Sequence, residues 1–189
     1  MAGALQPLGM MSAMFERHLR KPDPDFAALA LKSNQMNTLV REASTHCMDL
    51  MSWLAPKPNE LIMVATGVED TAGLLLTELL FKGFTVVNQT QDMQAKLPRS
   101  VTQSIFLAAL IALTDAAKAP ASVVLEAGLG NSELVLTISI HPAEGELEPG
   151  APLSYRTIEW EEVEALADAE SVRIARTAER VELHCPLTI

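Results

Sequence analysis

The chain has 189 residues, enough for one domain or two small ones with a buried core, and its two cysteines exclude a disulfide-stapled miniprotein. Hydrophobic residues at 49 % and charged residues at 20 % are ordinary globular usage, which argues against a fibrous chain and against disorder as the dominant state. Fourteen basic and twenty-four acidic residues give a net charge of -10, a sign that repels phosphate backbones and anionic lipid and so argues against nucleic-acid and membrane partners. The longest strongly apolar run, Ile105 to Leu113, is too short to span a bilayer, and no leader-like segment opens the chain; a soluble, cytoplasmic protein is expected.

In chain order, Leu5, Leu8, Met11 or Ser12, Phe15 and Leu19 recur at helical spacing and predict a first helix. The segment Lys21-Pro22-Asp23-Pro24-Asp25 follows as a turn, its prolines removing backbone donors and its aspartates suiting a helix N-terminus. From Phe26 to Leu54 the residues Leu29, Ser33, Met36, Val40, Ala43, Cys47, Leu50 and Leu54 alternate by four and three, the heptad seam of a packed helix. The two helices form an antiparallel hairpin with a thin core, which a second copy completes as a four-helix bundle, so a homodimer is expected. Ala55 to Asn59, with two prolines, reads as the linker between a hairpin domain at 1–55 and a second domain at 59–189.

Leu61 to Ala65 reads as a short strand, and Val68 to Lys82 as a helix closed by Gly83 at its C-terminal cap. Phe84 to Asn88 predicts a strand, Gln89 to Leu97 a polar loop, and Pro98 the first position of a helix running to about Lys118. Ser122 to Glu126 and Glu133 to His141 read as a hairpin whose Gly128 and Gly130 suit positive backbone dihedrals. Pro142 to Pro152 is loop-like, Ile158 to Ala169 an acidic helix, and Val172 to Ala175 with Arg180 to Pro186 a closing hairpin. The fold class is α+β, a helical hairpin followed by an α/β sandwich.

This order of elements resembles the core of bacterial sensor histidine kinases, a dimerising hairpin followed by an ATPase-like sandwich. Leu5-Gln6-Pro7-Leu8 is similar to part of the family's phosphoacceptor box, the run from Arg99 to Lys118 to its asparagine-box helix, and Arg176 to Leu187 to its terminal strand pair. The departures matter as much. The family's phosphoacceptor position falls on Ala2, and its magnesium-binding Asn falls on Ala116, after a retained Asp115. The adenine-reading Asp falls on or near His141, and no D-x-G-x-G or second glycine-rich box follows. Without these groups nothing cradles a triphosphate, so the resemblance implies no ATP-dependent kinase activity and no bound cofactor.

A kinase-like dimer of this length with a nucleotide-blind second domain resembles the short bacterial histidine phosphotransferases, which relay phosphoryl groups between receiver domains. Such a relay needs an imidazole on a bundle helix, a group to orient its ring, and an Asp with magnesium supplied by the partner. His18 is the one candidate on the first helix, with Glu16 or Asp23 to hold its ring and Arg17, Arg20 or Lys21 to steady the phosphoryl charge. Equally, a histidine in a helix's last turn suits the helix dipole with no chemistry at all.

His46 reads as a flank or core residue, and His141 and His184 as structural residues at strand ends. The pairs His46-Cys47 and His184-Cys185 have an unusual spacing for zinc, both thiols read as buried, and no metal is expected. Met10, Met11 and Met14 read as bundle-core filling, and the acidic runs Glu144 to Glu148 and Glu159 to Glu164 as solvated loop and helix face. The expected function is therefore a two-component signalling module, relaying phosphate to or docking the receiver domain of a response regulator, or docking a sensor kinase. The alternatives are a scaffold or inhibitor without chemistry, and an unrelated α/β domain.

Overall fold

A computed structural model describes the chain apart from residues 1, 21, 23, 24, 56, 58, 59, 131, 144–155 and 187–189, and apart from the side chains of 2–8 and 54. Its contacts divide the chain into two units, residues 1–56 and 57–189.

In the first unit α1 (Ala2–Leu19) packs against α2 (Phe26–Leu54). Asp25 starts α2 because its Oδ1 accepts the N–H groups of Ala27 and Ala28, both at 3.0 Å, satisfying two of the donors a helix start leaves open. Lys21, Asp23 and Pro24 of the turn lie outside the described residues. Along the seam Leu29 is buried and Ser33, Met36, Ala43 and Leu50 are half-buried, but Val40 and Cys47 are exposed. The expectation of a buried Cys47 thiol is thus corrected. At about 100° per residue Val40 and Cys47 share the side of Leu29, but the 18-residue α1 does not run the length of the 29-residue α2, and the later part of that side stays open beside the exposed Met51. The methionines of α1 divide between covered and exposed positions. Met11, Phe15 and His18 share the covered side and are half-buried, while Met10 and Met14 are exposed.

The second unit is built on a five-stranded sheet in the order β2-β4-β5-β7-β6, where β2 is Phe84–Asn88, β4 Ala121–Leu129, β5 Glu133–Pro142, β6 Arg173–Arg176 and β7 Arg180–Pro186. β2 runs parallel to β4 and the remaining pairs are antiparallel. A separate two-stranded ladder joins β1 (Leu61–Met63) to β3 (Lys96–Pro98). Alternation along the strands sends Val123, Leu125, Leu134, Leu136, Ile138, Val181, Leu183 and Cys185 into one buried core. Three helices contribute to the same core: α3 (Val64–Phe81), α4 (Leu107–Ala116) and α5 (Trp160–Ala169). α4 is apolar nearly all round and is buried accordingly, and each fully buried large side chain, such as Phe106 or Leu110, contributes about 1.5–3 kcal/mol.

α3 ends as its sequence predicts: Gly83 takes φ 84° and donates its N–H to the Leu80 carbonyl at 3.0 Å. Elsewhere the boundaries move. α3 begins at Val64, whose N–H donates to the Ala95 carbonyl at 3.0 Å, so Val64 and Ala65 are helix where a strand was expected. Lys96 and Leu97 are strand rather than loop, and Pro98, expected to open a helix, closes β3 opposite Leu61. The helix after it starts with a π-helical stretch, Val101–Phe106, and Thr71 of α3 donates its hydroxyl to the Thr102 carbonyl there at 3.2 Å. β4 runs through Gly128 to Leu129, and neither Gly128 nor Gly130 has a positive φ, contrary to expectation. An extended strand, which every residue tolerates, carries the chain to the turn.

Candidate functional site

His18 sits in the last turn of α1, as the sequence indicates. Its Nδ1 lies 2.8 Å from the Met14 carbonyl oxygen. A carbonyl only accepts, so Nδ1 carries the proton of the neutral ring and Nε2 carries the lone pair. The Nζ of Lys32, in the second turn of α2, lies 3.4 Å from both ring nitrogens. An imidazole with Nδ1 held and Nε2 bearing a lone pair is a nucleophile, and a neighbouring ammonium attracts any anion that forms there.

These supporting groups differ from the expected ones. Glu16 is paired with Arg20 one turn on, so this carboxylate does not hold the His18 ring; a backbone carbonyl does. Asp23 and Lys21 lie outside the described residues. Arg17 is exposed, and the cation beside the ring is Lys32, which sequence spacing did not bring forward. The one signal available was topological: with α1 ending at Leu19 and α2 beginning at Phe26, so few residues between them set the end of α1 against the first turns of α2.

The other histidines are not brought into this arrangement. His46 is exposed on α2, and the second unit carries His141 and His184 on β5 and β7. His141 is exposed at the strand end, opposite Ser122. His184, by contrast, belongs to an ion network on the sheet face away from the helices. Its Nδ1 lies 2.9 Å from Glu133 Oε1 and its Nε2 3.5 Å from Glu182 Oε2, while Arg173 reaches Glu133 at 3.3 Å. The hydrogen bond from His184, with Arg173 nearby, holds the Glu133 carboxyl below its ordinary value.

The adjacent His184-Cys185 pair does not present its two side chains to one site. On β7 neighbouring side chains point to opposite faces, so His184 joins Glu133 while the Cys185 thiol is buried in the core, where desolvation pushes its pKa up to about 12. Cys47 and His46 are exposed on a different unit. Among the described residues no group of three or more His, Cys, Asp or Glu side chains is arranged to hold a metal.

At the C-terminal end of α4 the carboxylate of Asp115, 6 % exposed, meets Lys82 Nζ at 2.6 Å, and Ala116 beside it is exposed. The retained acid is therefore already engaged by a cation of its own chain. The stretch expected to lack nucleotide-binding glycines lies mostly within 144–155, outside the described residues.

No protein-family model matches the chain, and no curated protein sequence matches it. Solved structures do. The Acinetobacter baumannii histidine kinase AdeS is similar at 12 % identity, with 98 % of this chain and 96 % of that one covered and a TM-score of 0.52. The catalytic domain of the histidine kinase ThkA is similar at 6 % identity over 68 % of this chain and 95 % of its own, with a TM-score of 0.53. A histidine kinase from Burkholderia phymatum is similar at 15 % identity over 100 % of this chain and 96 % of its own, with a TM-score of 0.50. At such identities the likeness shows the fold, a mixed α+β architecture of histidine-kinase ATPase type, and the reading as an unrelated α/β domain is set aside. No helix among the described residues is long and apolar enough to cross a membrane.

Proposed function

We propose that the chain is a two-component signalling module that acts without ATP, receiving a phosphoryl group from, or docking, the receiver domain of a response regulator. The observation that carries this reading is the His18 arrangement on a kinase-type scaffold, a held Nδ1 with Lys32 Nζ 3.4 Å from Nε2. In the transfer step Nε2 attacks the phosphorus of the receiver's aspartyl phosphate. The bond between phosphorus and the aspartyl oxygen breaks, the carboxylate leaves, and Lys32 offsets charge on the phosphoryl oxygens. The absence from the sequence of the family's glycine-rich boxes, and Asp115's pairing with Lys82, support a second unit that does not turn over ATP.

The dimer belongs to the same proposal. Val40, Met48 and Met51 of α2 and Met10 and Met14 of α1 leave apolar surface on a two-helix unit, and a second copy covers it as a four-helix bundle. With five basic and five acidic residues in 1–56, two such units meet without net repulsion.

A second reading is favoured by one observation, that Ala2 occupies the family's phosphoacceptor position. In that reading the chain binds a receiver domain or sensor kinase as a scaffold or inhibitor. The test is transfer of labelled phosphate from a panel of phosphorylated receiver domains to wild type and to His18→Ala. Acid-labile label on wild type alone supports the relay at His18. Label on both moves the site, and label on neither favours the scaffold.

A further inference from the structure

The second unit carries all of the chain's net charge, with nine basic and nineteen acidic residues in 57–189 against five of each in 1–56. On α3 the exposed charged side chains, Glu69, Asp70 and Glu78, are all acidic, and the nearby Lys82 is drawn to Asp115 at 2.6 Å and Glu78 at 3.9 Å.

The last turns of the same helix are also apolar toward solvent. Phe81 is 86 % exposed, Leu80 55 %, Leu74 45 % and Leu76 42 %. At about 100° per residue Leu76 and Leu80 form one ridge of the exposed arc and Leu74 and Phe81 the other, with Gly73 and Thr77 between them. A Cβ added at Gly73 would meet nothing within 4 Å, so the space between the ridges is open. Two apolar ridges flanking small residues form a groove that accepts the ridge of another helix. Large apolar side chains grouped on a surface and rimmed by polar ones mark an interaction site.

The rim decides the occupant. A second copy of this chain would bring Glu69, Asp70 and Glu78 toward their own counterparts, within units that each carry the whole negative charge of the molecule. A helix with apolar residues on one face and lysine or arginine on its flanks fills the groove and neutralises the rim. We propose that the exposed face of α3, from Glu69 to Phe81, is a docking site for a cationic amphipathic helix of a partner protein. The proposal is independent of the phosphoryl relay, since α3 and His18 belong to different units.

The test uses the full chain and fluorescence anisotropy with a labelled synthetic amphipathic peptide of leucine and lysine, beside its leucine and glutamate counterpart. The lysine peptide binds and the glutamate peptide does not. Leu80→Gln with Phe81→Gln weakens binding by about tenfold or more at unchanged charge. Glu69→Gln with Asp70→Asn and Glu78→Gln also weakens it, and Leu166→Gln on α5 leaves it unchanged. Thermal melts matching wild type confirm that each variant is folded, and hydrogen exchange shows new protection centred on 73–81 when the lysine peptide is bound. Absence of binding, or equal binding of both peptides, overturns the proposal. Wild-type affinity in the Leu80→Gln, Phe81→Gln variant would reduce it to general attraction by charge. A fall in molecular mass of that variant by light scattering would assign the face to a second copy instead.

Discussion

Gly67 lies where α3 comes closest to its neighbours, and Gly67→Ala tests that contact directly. A Cβ built there meets Ile62 Cδ1 at 2.6 Å and Thr102 Cγ2 and Oγ1 at 2.8 Å each. Ile62 Cδ1 is the end of a flexible side chain and can swing away, but Thr102 is β-branched, fully buried, and tied through its hydroxyl to the Arg99 carbonyl at 3.1 Å. Relief must come from the π-helical stretch itself, and with three contacts under 3 Å the overpacking strain lies in the upper part of the usual range, about 2–3 kcal/mol. Against this, alanine is favoured over glycine inside a helix by about 1 kcal/mol. The net expectation is a loss of about 1–2 kcal/mol. Gly73→Ala, six residues on in the same helix with nothing within 4 Å, should gain about 0.5–1 kcal/mol. Urea denaturation followed by Trp160 fluorescence, in a Trp53→Phe background so that the first unit is silent, separates the two variants by about 1.5–3 kcal/mol. Equal shifts, or a Gly67→Ala protein as stable as wild type, would refute the close approach.

Three other outcomes are expected. Lys82→Met removes the cation beside the largely buried Asp115 carboxylate and should cost about 3 kcal/mol, while Lys82→Met with Asp115→Leu should recover most of it; urea melts of wild type, Lys82→Met, Asp115→Leu and the double variant give the coupling. A thiol reagent at pH 8 should label the exposed Cys47 at once and Cys185 only after unfolding, because burial pushes the Cys185 thiol up to about 12. Fast labelling of both would contradict the buried position on β7. The Glu133 carboxyl, lowered below 4.5 chiefly by its hydrogen bond from His184, contributes stability that is full above its unfolded value and is lost as pH falls through the folded one. Carbon NMR should therefore show Glu133 titrating below 4.5 in wild type and shifting upward in His184→Gln.

What the sequence made legible was local chemistry. Asp25 and Gly83 were readable because caps act over two or three residues and depend on one side-chain oxygen or one permissive φ. The order of helices and strands followed from periodicity, and the resemblance to histidine kinases rested on that order, which solved structures then showed as a shared fold. Pro98 was misplaced because the same missing N–H suits a helix's first position and a strand's last one, and only its pairing partner, Leu61, decides between them. Val64 was misread because a short aliphatic run fits strand and helix equally. The contacts around the candidate sites were out of reach. Lys32 beside His18, Asp115 beside Lys82 and His184 beside Glu133 join residues 14, 33 and 51 positions apart, and helix pairing or sheet register alone brings them together. Cys47 followed the heptad pattern faithfully, but a seam shared by two helices covers only part of a stripe that a bundle would close.

The central claim is that phosphate enters this molecule from a receiver domain and not from ATP. The most direct measurement presents two labelled donors in parallel, a phosphorylated receiver domain and magnesium-ATP, to equal amounts of the full chain, and follows acid-labile label over time. The account predicts label from the receiver domain, lost in His18→Ala, and none from magnesium-ATP at any time. Label arriving from magnesium-ATP without a receiver domain or another kinase present would contradict it.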